Sequence, residues 1–403
     1  MIYSFYERIK GINLMKINLK SMKMMNKQMI LRYLIENGPT SRMELSRFTK
    51  LTPSTISRIV SDFSSEKLVE EVGYSEKSQI GRKPINVSVT KRFASSVVIN
   101  VGVEQTTVAI GFLDKSIIEV KRFSTGTLKS FISTVNASLG EIEKKYPLNS
   151  EITSIVFAFP GIVNTQKSIV IYVPNLNWRN LNLKDAINYP YRIIADNEAN
   201  LSVLAESVSS EDAKKSENIF FLYVSQGIGG GAMINHQILR GSGFAGAEIG
   251  HTVVEARSDV KCHCGNYGCL ERYASLVLPV MEYEKNGRKL DGKTYTEKFQ
   301  ILVDLYAKHD KMAIAALEEF IHYLSIGLIN IVNTFNPETI IIGGGFNKIW
   351  KYFGEELHQR VSERAMPGVL DNVTFRDTYF DEIEAPVVGA NALAIEMMVN
   401  NLN

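Results

Sequence analysis

The sequence predicts an α/β protein with a small, mostly helical domain ahead of its main body. Three observations carry that expectation. Residues 1–92 hold 17 Lys and Arg against 8 Asp and Glu, net +9, while the rest holds 28 against 35, net −7. From Ser96 onward short β-rich runs alternate with helical runs, and polar or glycine residues stand at the strand ends, as in open α/β sheets. All three cysteines fall in one window, Cys262-x-Cys264-Gly265-x-x-Gly268-Cys269, and three cannot pair off into disulfides.

At 403 residues and 45% hydrophobic content, the chain can bury the cores of two or three domains. We read residues 1–22 as an N-terminal extension, 23–92 as a head and 93–403 as the body. No run approaches the ~18 uninterrupted apolar residues of a membrane span. The N-terminus interleaves Lys, Asn and Arg with Ile and Leu, so it lacks a signal-peptide core. Free thiols without an export signal predict a cytoplasmic protein with no membrane partner. A basic head on an acidic body predicts that the head meets a polyanion.

Within the head, Ile30, Tyr33 and Leu34 recur at helical spacing, and Gly38-Pro39 ends that helix. Thr40 or Ser41 caps a second helix over 42–50, with Met43, Leu45 and Phe48 available to face inward. Thr52-Pro53 opens a third, with proline in its first turn. On it Ile56, Ile59, Val60 and Phe63 form an apolar stripe, and Ser54, Thr55, Ser57, Arg58 and Ser61 lie opposite. Small hydroxyls and an arginine near a helix N-terminus suit base edges and phosphates. Residues 68–74 and 85–89 then read as a β-hairpin whose tip, Gly81-Arg82-Lys83-Pro84, offers two cations to phosphates or a minor groove. Three helices and a hairpin in this order resemble a winged helix-turn-helix. Double-stranded DNA is the expected partner, with Arg42, Ser54, Thr55, Ser57, Arg58, Arg82 and Lys83 as its contacts.

In the body, 97–103 and 107–113 are β-rich, and 155–159 ends in Pro160-Gly161. The run 192–195 ends in Asp196-Asn197-Glu198-Ala199-Asn200, ahead of a helix over 201–208. The run 220–225 ends in Gln226-Gly227-Ile228-Gly229-Gly230-Gly231. A long helix over 312–335 precedes a strand at 339–342 and Gly343-Gly344-Gly345. Such glycines fit tight turns or close approach to phosphate.

The cysteine window has its own chemistry. Thiolates together with an imidazole suit Zn²⁺ in a tetrahedron, and His251 stands a short way upstream. Gly265 and Gly268 permit the turns that bring close-spaced sulfurs onto one ion. His251, Cys262, Cys264 and Cys269 fill the shell, which predicts a structural zinc rather than a water-activating one. Glu248 and Glu271 are held near the same knot.

These motifs carry a family resemblance. The segment Gly227 to Gly231, then Gly241-x-Gly243, then Ala245-Gly246-Ala247-Glu248-Ile249-Gly250-His251, resembles the signature of the ROK family of repressors, open reading frames and sugar kinases. The run from Cys262 to Glu271, Pro174-Asn175-Leu176-x-Trp178 and Asn197-Glu198-Ala199-Asn200 are similar to it as well. With the head in front, the whole chain is similar to ROK repressors of the xylose-repressor type. The resemblance implies an actin/hexokinase-like body of two lobes, with a C-terminal helix returning to the first. It implies a sugar in the cleft and a homodimer or dimer of dimers. It also puts Asn175, Asn197, Glu198, Glu248, His251 and Glu271 around the sugar. The chemistry agrees, because hydroxyls that both donate and accept are matched by paired carboxylates and amides. His251 can give one ring nitrogen to zinc and the other to a hydroxyl. Trp178 reads as core.

Kinase members of the family place an Asp-x-Gly-Gly-Thr turn under the ATP phosphates. Here the stretch is Asn100-Val101-Gly102-Val103-Glu104-Gln105-Thr106. Asn100 lacks the charge that organises Mg²⁺, Val103 is branched where backbone approaches phosphate, and Glu104 adds a like charge. Glu198 stands where the kinases have their aspartate base, and one methylene shifts a base by about 1 Å, worth ~10²-fold. No residue is assigned a catalytic role. Gly102, Gly227, Gly229, Gly230, Gly343 and Gly344 become vestigial phosphate loops, and neither ATP nor Mg²⁺ is expected. The expectation is a sugar-responsive DNA-binding regulator, a repressor of carbohydrate uptake or utilisation genes released by sugar. The alternative is a hexose or N-acetylhexosamine kinase with a DNA-binding head.

Overall fold

The computed structural model describes residues 19–74, 84–150, 152–285, 287–380 and 384–402. The wing tip with Arg82 and Lys83, and residues 1–18 of the expected extension, lie outside the described residues.

The head opens with α1 (Leu19–Asn37), so residues 19–22 continue its first helix rather than belonging to an extension. β1 (Thr40–Ser41) and α2 (Arg42–Thr49) follow. Ser41 caps α2 by accepting the Glu44 N–H, while Glu44 reaches back to the Ser41 N–H, a reciprocal capping box. In α3 (Pro53–Ser65) Thr52 is the cap and Pro53 fills the first position, where its missing N–H costs nothing. β2 (Val69–Tyr74) and β3 (Ile85–Val89) form the antiparallel hairpin, and β1 adds a third strand on β3. Two residues have no period to reveal them, so the sequence did not announce β1.

Ile30, Leu34, Leu45, Ile56, Ile59, Val60 and Phe63 form the head's core. Met43 and Phe48, expected inside, are exposed at 51% and 38%. The buried face of α2 is instead set by Leu45 and Thr49, four apart and hence in line. Phe48 lies against Tyr33, ring centroids 4.2 Å apart.

The first lobe begins four residues after the wing. β4 (Ala94–Val101), β5 (Gln105–Phe112) and β6 (Ile117–Ser124) form a meander, followed by α4 (Leu128–Lys145) and β7 (Ser154–Phe159). β8 (Ile162–Asn164), β9 (Ile169–Val173) and β10 (Trp178–Asn182) make a small antiparallel sheet. α5 (Leu183–Ala186) leads to β11 (Arg192–Asn197). The main sheet runs β11-β7-β4-β5-β6, with β11, β7 and β4 parallel.

α6 (Glu198–Ser209) and α7 (Glu211–Lys215) cross to the second lobe, where β12 (Ile219–Val224), β13 (Ile228–Ile234) and β14 (Gln237–Ile238) follow. Its helices are α8 (Glu271–Ala274), α9 (Val277–Glu284), α10 (Tyr295–Ala307) and α11 (Lys311–Phe335). Then come β15 (Thr339–Gly344), α12 (Trp350–Arg364), β16 (Thr374–Asp377) and finally α13 (Glu384–Asn400). This sheet runs β14-β13-β12-β15-β16. By length and composition α11 could cross a membrane, but Leu317, Phe320, Leu324 and Leu328 bury it in the second lobe's core.

Four of the expected phosphate-loop glycines are not in loops. Gly229 and Gly230 pair with Tyr223 and Leu222 inside the β12–β13 ladder, and Gly343 and Gly344 belong to β15. Their lack of a side chain serves packing: a Cβ on Gly230 would strike the Ala247 carbonyl, and one on Gly343 the Phe221 ring. The strand simply continues through the glycine run, because the ladder needs backbone only.

α13 ties the molecule together. Val387, Ala390 and Ala394 pack on the first sheet with Leu201 of α6, and Gly389 lies so close that a Cβ there would strike the Leu201 carbonyl. At its far end Ile395, Met398 and Val399 enter the head's own core. Arg32 donates to Asn400 Oδ1 at 2.7 Å and Gln28 to the Asn400 carbonyl at 3.2 Å. The head is therefore docked on the body rather than hung from a linker.

Candidate functional site

A cavity of about 560 Å³ lies between the lobes. All six residues expected around a sugar line it: Asn175, Asn197, Glu198, Glu248, His251 and Glu271. Each is placed by a local backbone device. Asn175 sits in a one-turn 3₁₀ helix, Pro174–Leu176. Asn197 is the cap of α6, its Oδ1 accepting the Ala199 N–H at 2.7 Å and its Nδ2 donating to the Gly161 carbonyl at 2.9 Å. One amide hydrogen stays available to a ligand. Glu198 is the first helical residue, at the positive end of α6.

On the opposite wall Glu271 opens α8, and its Oε2 accepts the Ile228 N–H at 3.2 Å. Gly227 makes room for it: a Cβ there would stand 2.7 Å from Glu271 Oε2 and 3.6 Å from Asn175 Nδ2. Glu248 follows Ala247, a left-handed residue at φ +61°. Burial pushes the Glu248 carboxyl above its ordinary range; His251 opposes that shift and Glu271 adds to it. Trp178 is 5% exposed and packs on Phe131, so it is core.

The knot beside this wall brings four donors together. One ligand atom each from His251, Cys262, Cys264 and Cys269 lies within 4.8 Å of all the others. Cys262 Sγ is 3.6 Å from His251 Nδ1, and the Cys264 and Cys269 sulfurs are 3.7 Å apart. Gly265 and Gly268 turn at φ +96° and +71°; a Cβ on Gly268 would strike the Glu255 carbonyl. Burial, with the neighbouring thiols, pushes the Cys269 thiol up to about 12, and burial also raises Cys262. Such a packed set of thiols suits a metal cation, which holds them deprotonated. With Nδ1 among the sulfurs, the other ring nitrogen of His251 is left for the cleft. Cys262 Sγ also lies 3.8 Å from Glu271 Oε1, so the knot sits directly against a cleft carboxylate.

The same cleft is lined by Asn100, Gly102, Val103, Glu104, Gln105 and Thr107. The turn between β4 and β5 closes by the Gly102 N–H on the Gln105 carbonyl at 2.9 Å. Thr106 is buried and shares a hydrogen bond with Thr125, which donates to the Gly102 carbonyl, whereas Thr107 faces the cavity. Of the six glycines expected in phosphate loops, Gly102, Gly227 and Gly229 border this space. Tyr172, Arg122, Thr294, Thr296 and Glu297 also line it. No spacing in the sequence announced them, since they come from β9, β6 and the start of α10, far apart in the chain.

On the head, Ser54, Ser57 and Arg58 are exposed at the start of α3 and Thr55 is half-buried. The hydroxyls of Ser54 and Thr55 share hydrogen bonds with Thr52. Arg42 pairs with Glu71 of the wing at 2.8 Å, so it braces α2 against β2.

A winged helix-turn-helix head on a two-lobed body with a polar cleft defines a DNA-binding transcriptional regulator. The chain belongs to the ROK family, whose profile matches residues 96–397. A winged helix-turn-helix DNA-binding profile matches residues 26–70. The chain is 30% identical over 390 residues to the xylose repressor of Bacillus spizizenii, covering 93% of this chain and 96% of that one. Among solved structures it is similar to a ROK family transcriptional regulator homologous to the E. coli MLC protein. That similarity has a TM-score of 0.75 and 22% identity, over 94% of this chain and 99% of the other. It is similar also to a ROK glucokinase from Streptomyces griseus, solved with glucose and AMPPNP. There the TM-score is 0.64 and the identity 20%, over 75% and 99% of the two chains.

Proposed function

We propose that this protein is a cytoplasmic repressor that D-xylose releases from the operators of carbohydrate uptake or utilisation genes. It acts as a homodimer or dimer of dimers, with a structural Zn²⁺ on His251, Cys262, Cys264 and Cys269. The observation that carries this reading is the uneven cleft. Six residues able to match sugar hydroxyls line it, while the turn between β4 and β5 presents Asn100 without a charge for Mg²⁺, and Val103 and Glu104 as bulk and like charge against a triphosphate. Xylose is favoured by the repressor similar over nearly the whole chain. Three sulfurs and an imidazole leave a tetrahedral ion no open position, so zinc here shapes the wall that holds Glu248, His251 and Glu271.

The docking of the head supplies the route to DNA. Sugar contacts from both lobes favour one arrangement of the cleft. α13 lies against α6 and ends in the head's core, so a lobe rotation carries the head with it. In a dimer this changes the spacing of the two recognition helices, and heads off their half-site spacing lose affinity. A coupling of typical size weakens operator binding by roughly 5–150-fold. The test is operator affinity by fluorescence anisotropy across a monosaccharide series, xylose giving the largest drop. Affinity unmoved by every sugar sinks the reading.

The likeness to glucokinase favours a second reading, a sugar kinase with a DNA-binding head. ATP- and Mg²⁺-dependent formation of a sugar phosphate decides for it.

A further inference from the structure

An ion pair between a half-exposed arginine and a buried carboxylate crosses between the lobes, next to residues that line the cleft. Asp196 closes β11 in the first lobe, just before Asn197 and Glu198, and its side chain is 2% exposed. Its Oδ1 accepts the Asn197 N–H at 2.8 Å and Asn200 Nδ2 at 3.1 Å. Its Oδ2 accepts two N–H groups of Arg240, from Nε at 3.1 Å and Nη2 at 2.6 Å. Arg240 comes from the second lobe, directly after β14 and Leu239. The loop it opens is closed by the Gly246 N–H on the Arg240 carbonyl at 2.9 Å. A Cβ on Gly246 would strike the Leu239 carbonyl, so that turn has no slack. Glu248 and His251 follow it at once.

A carboxylate this far from water stays charged only when fully partnered. Here half its capacity goes to the base of α6 and half to an arginine of the other lobe. A guanidinium fork fixes direction as well as distance. The pair therefore sets the register between two groups of cleft residues that share no element: Asn197 and Glu198 on one side, Glu248 and His251 on the other.

We propose that Arg240 is a positioning residue for the sugar site, acting through Asp196 to hold Glu198 at the right distance from Glu248 and His251. This rests on the reading of the cleft as a sugar site. A rigid ring can satisfy both walls only at one separation, so loosening it costs affinity for sugar, beside the stability lost when a buried carboxylate loses its partner. The opposite end of α6 offers a comparison. There Arg376 of the second lobe binds Glu206 at 2.9 Å and Asp212 at 2.7 Å. Glu206 lies eight residues along the helix from Glu198, about 12 Å at 1.5 Å per residue, and outside the cleft lining.

The test is calorimetric titration of the full-length, zinc-loaded protein with D-xylose, D-glucose and N-acetylglucosamine. Wild type is compared with Arg240→Met, Arg240→Lys and Arg376→Met. Arg240→Met is expected to weaken the sugar that wild type binds at least tenfold, with metal content and sugar-free operator affinity unchanged. Arg240→Lys should recover part of the loss, keeping the charge but not the fork. Arg376→Met should lower Tm and leave sugar affinity alone. Wild-type affinity in Arg240→Met overturns the proposal, and so does an equal loss in Arg376→Met. If Arg240→Met does not fold, undiminished affinity in Arg240→Lys overturns it instead. Wild type that binds none of the three refutes the sugar site itself, a result separable from any effect of Arg240.

Discussion

Two sets of residues share one cavity but differ in chemistry. In one set carboxylates, amides and an imidazole come from both lobes, beside the cysteine knot and glycines that let side chains approach. In the other the β4–β5 turn carries a carboxylate and a branched side chain where a triphosphate needs cations and bare backbone. On the proposed reading, recognition is kept while reactivity is shed, because the two depend on different residues. On that reading, what the body offers the head is a change of shape.

The comparison is tested most severely in the first set. Cys264→Ser should abolish stoichiometric zinc, measured by elemental analysis, and with it the sugar response, before the protein unfolds. Full metal and full response in that variant remove Cys264 from the shell. Next in size, Glu198→Ala and Glu271→Ala should each weaken sugar by roughly 10–150-fold, the worth of hydrogen bonds to a charged group. Calorimetry reads this directly, and an unchanged affinity in either variant takes that residue out of the site.

The other set can be pushed back toward catalysis. Wild type should give no sugar phosphate above a blank with ATP and Mg²⁺. Asn100→Asp with Val103→Gly and Glu198→Asp should raise turnover, the base position alone being worth ~10²-fold. Turnover already present in wild type would erase the contrast. The smallest effect lies outside the cleft: Arg58→Ala should cost about 1–3 kcal/mol of operator affinity and leave sugar affinity as it was. Equal operator affinity after that change excludes Arg58 from the recognition surface.

Much of this was readable before any coordinates. The head's helices carry strong period and caps at Ser41 and Thr52, and the three cysteines of the knot fall within eight residues. The six residues expected around a sugar sit in short motifs, and all six line the cavity. What escaped is what no local pattern encodes. Gly229 and Gly230 look like a loop, yet they lie in a strand paired with Tyr223 and Leu222, where a Cβ on Gly230 would strike the Ala247 carbonyl. Met43 and Phe48 suit a core but stand outside, since Leu45 and Thr49 claim the inner face of α2. The Asp196–Arg240 pair joins residues 44 apart, and Gln28 and Arg32 meet Asn400 from the far end of the chain. Contacts of that reach are set by how the lobes close.

Operator affinity of the full-length, zinc-loaded protein, measured with and without saturating D-xylose and with no nucleotide present, bears on the central claim most directly. The account predicts a fall of roughly 5–150-fold on adding the sugar. Identical affinity with the cleft demonstrably filled, or a fall that appears only when ATP is supplied, contradicts it.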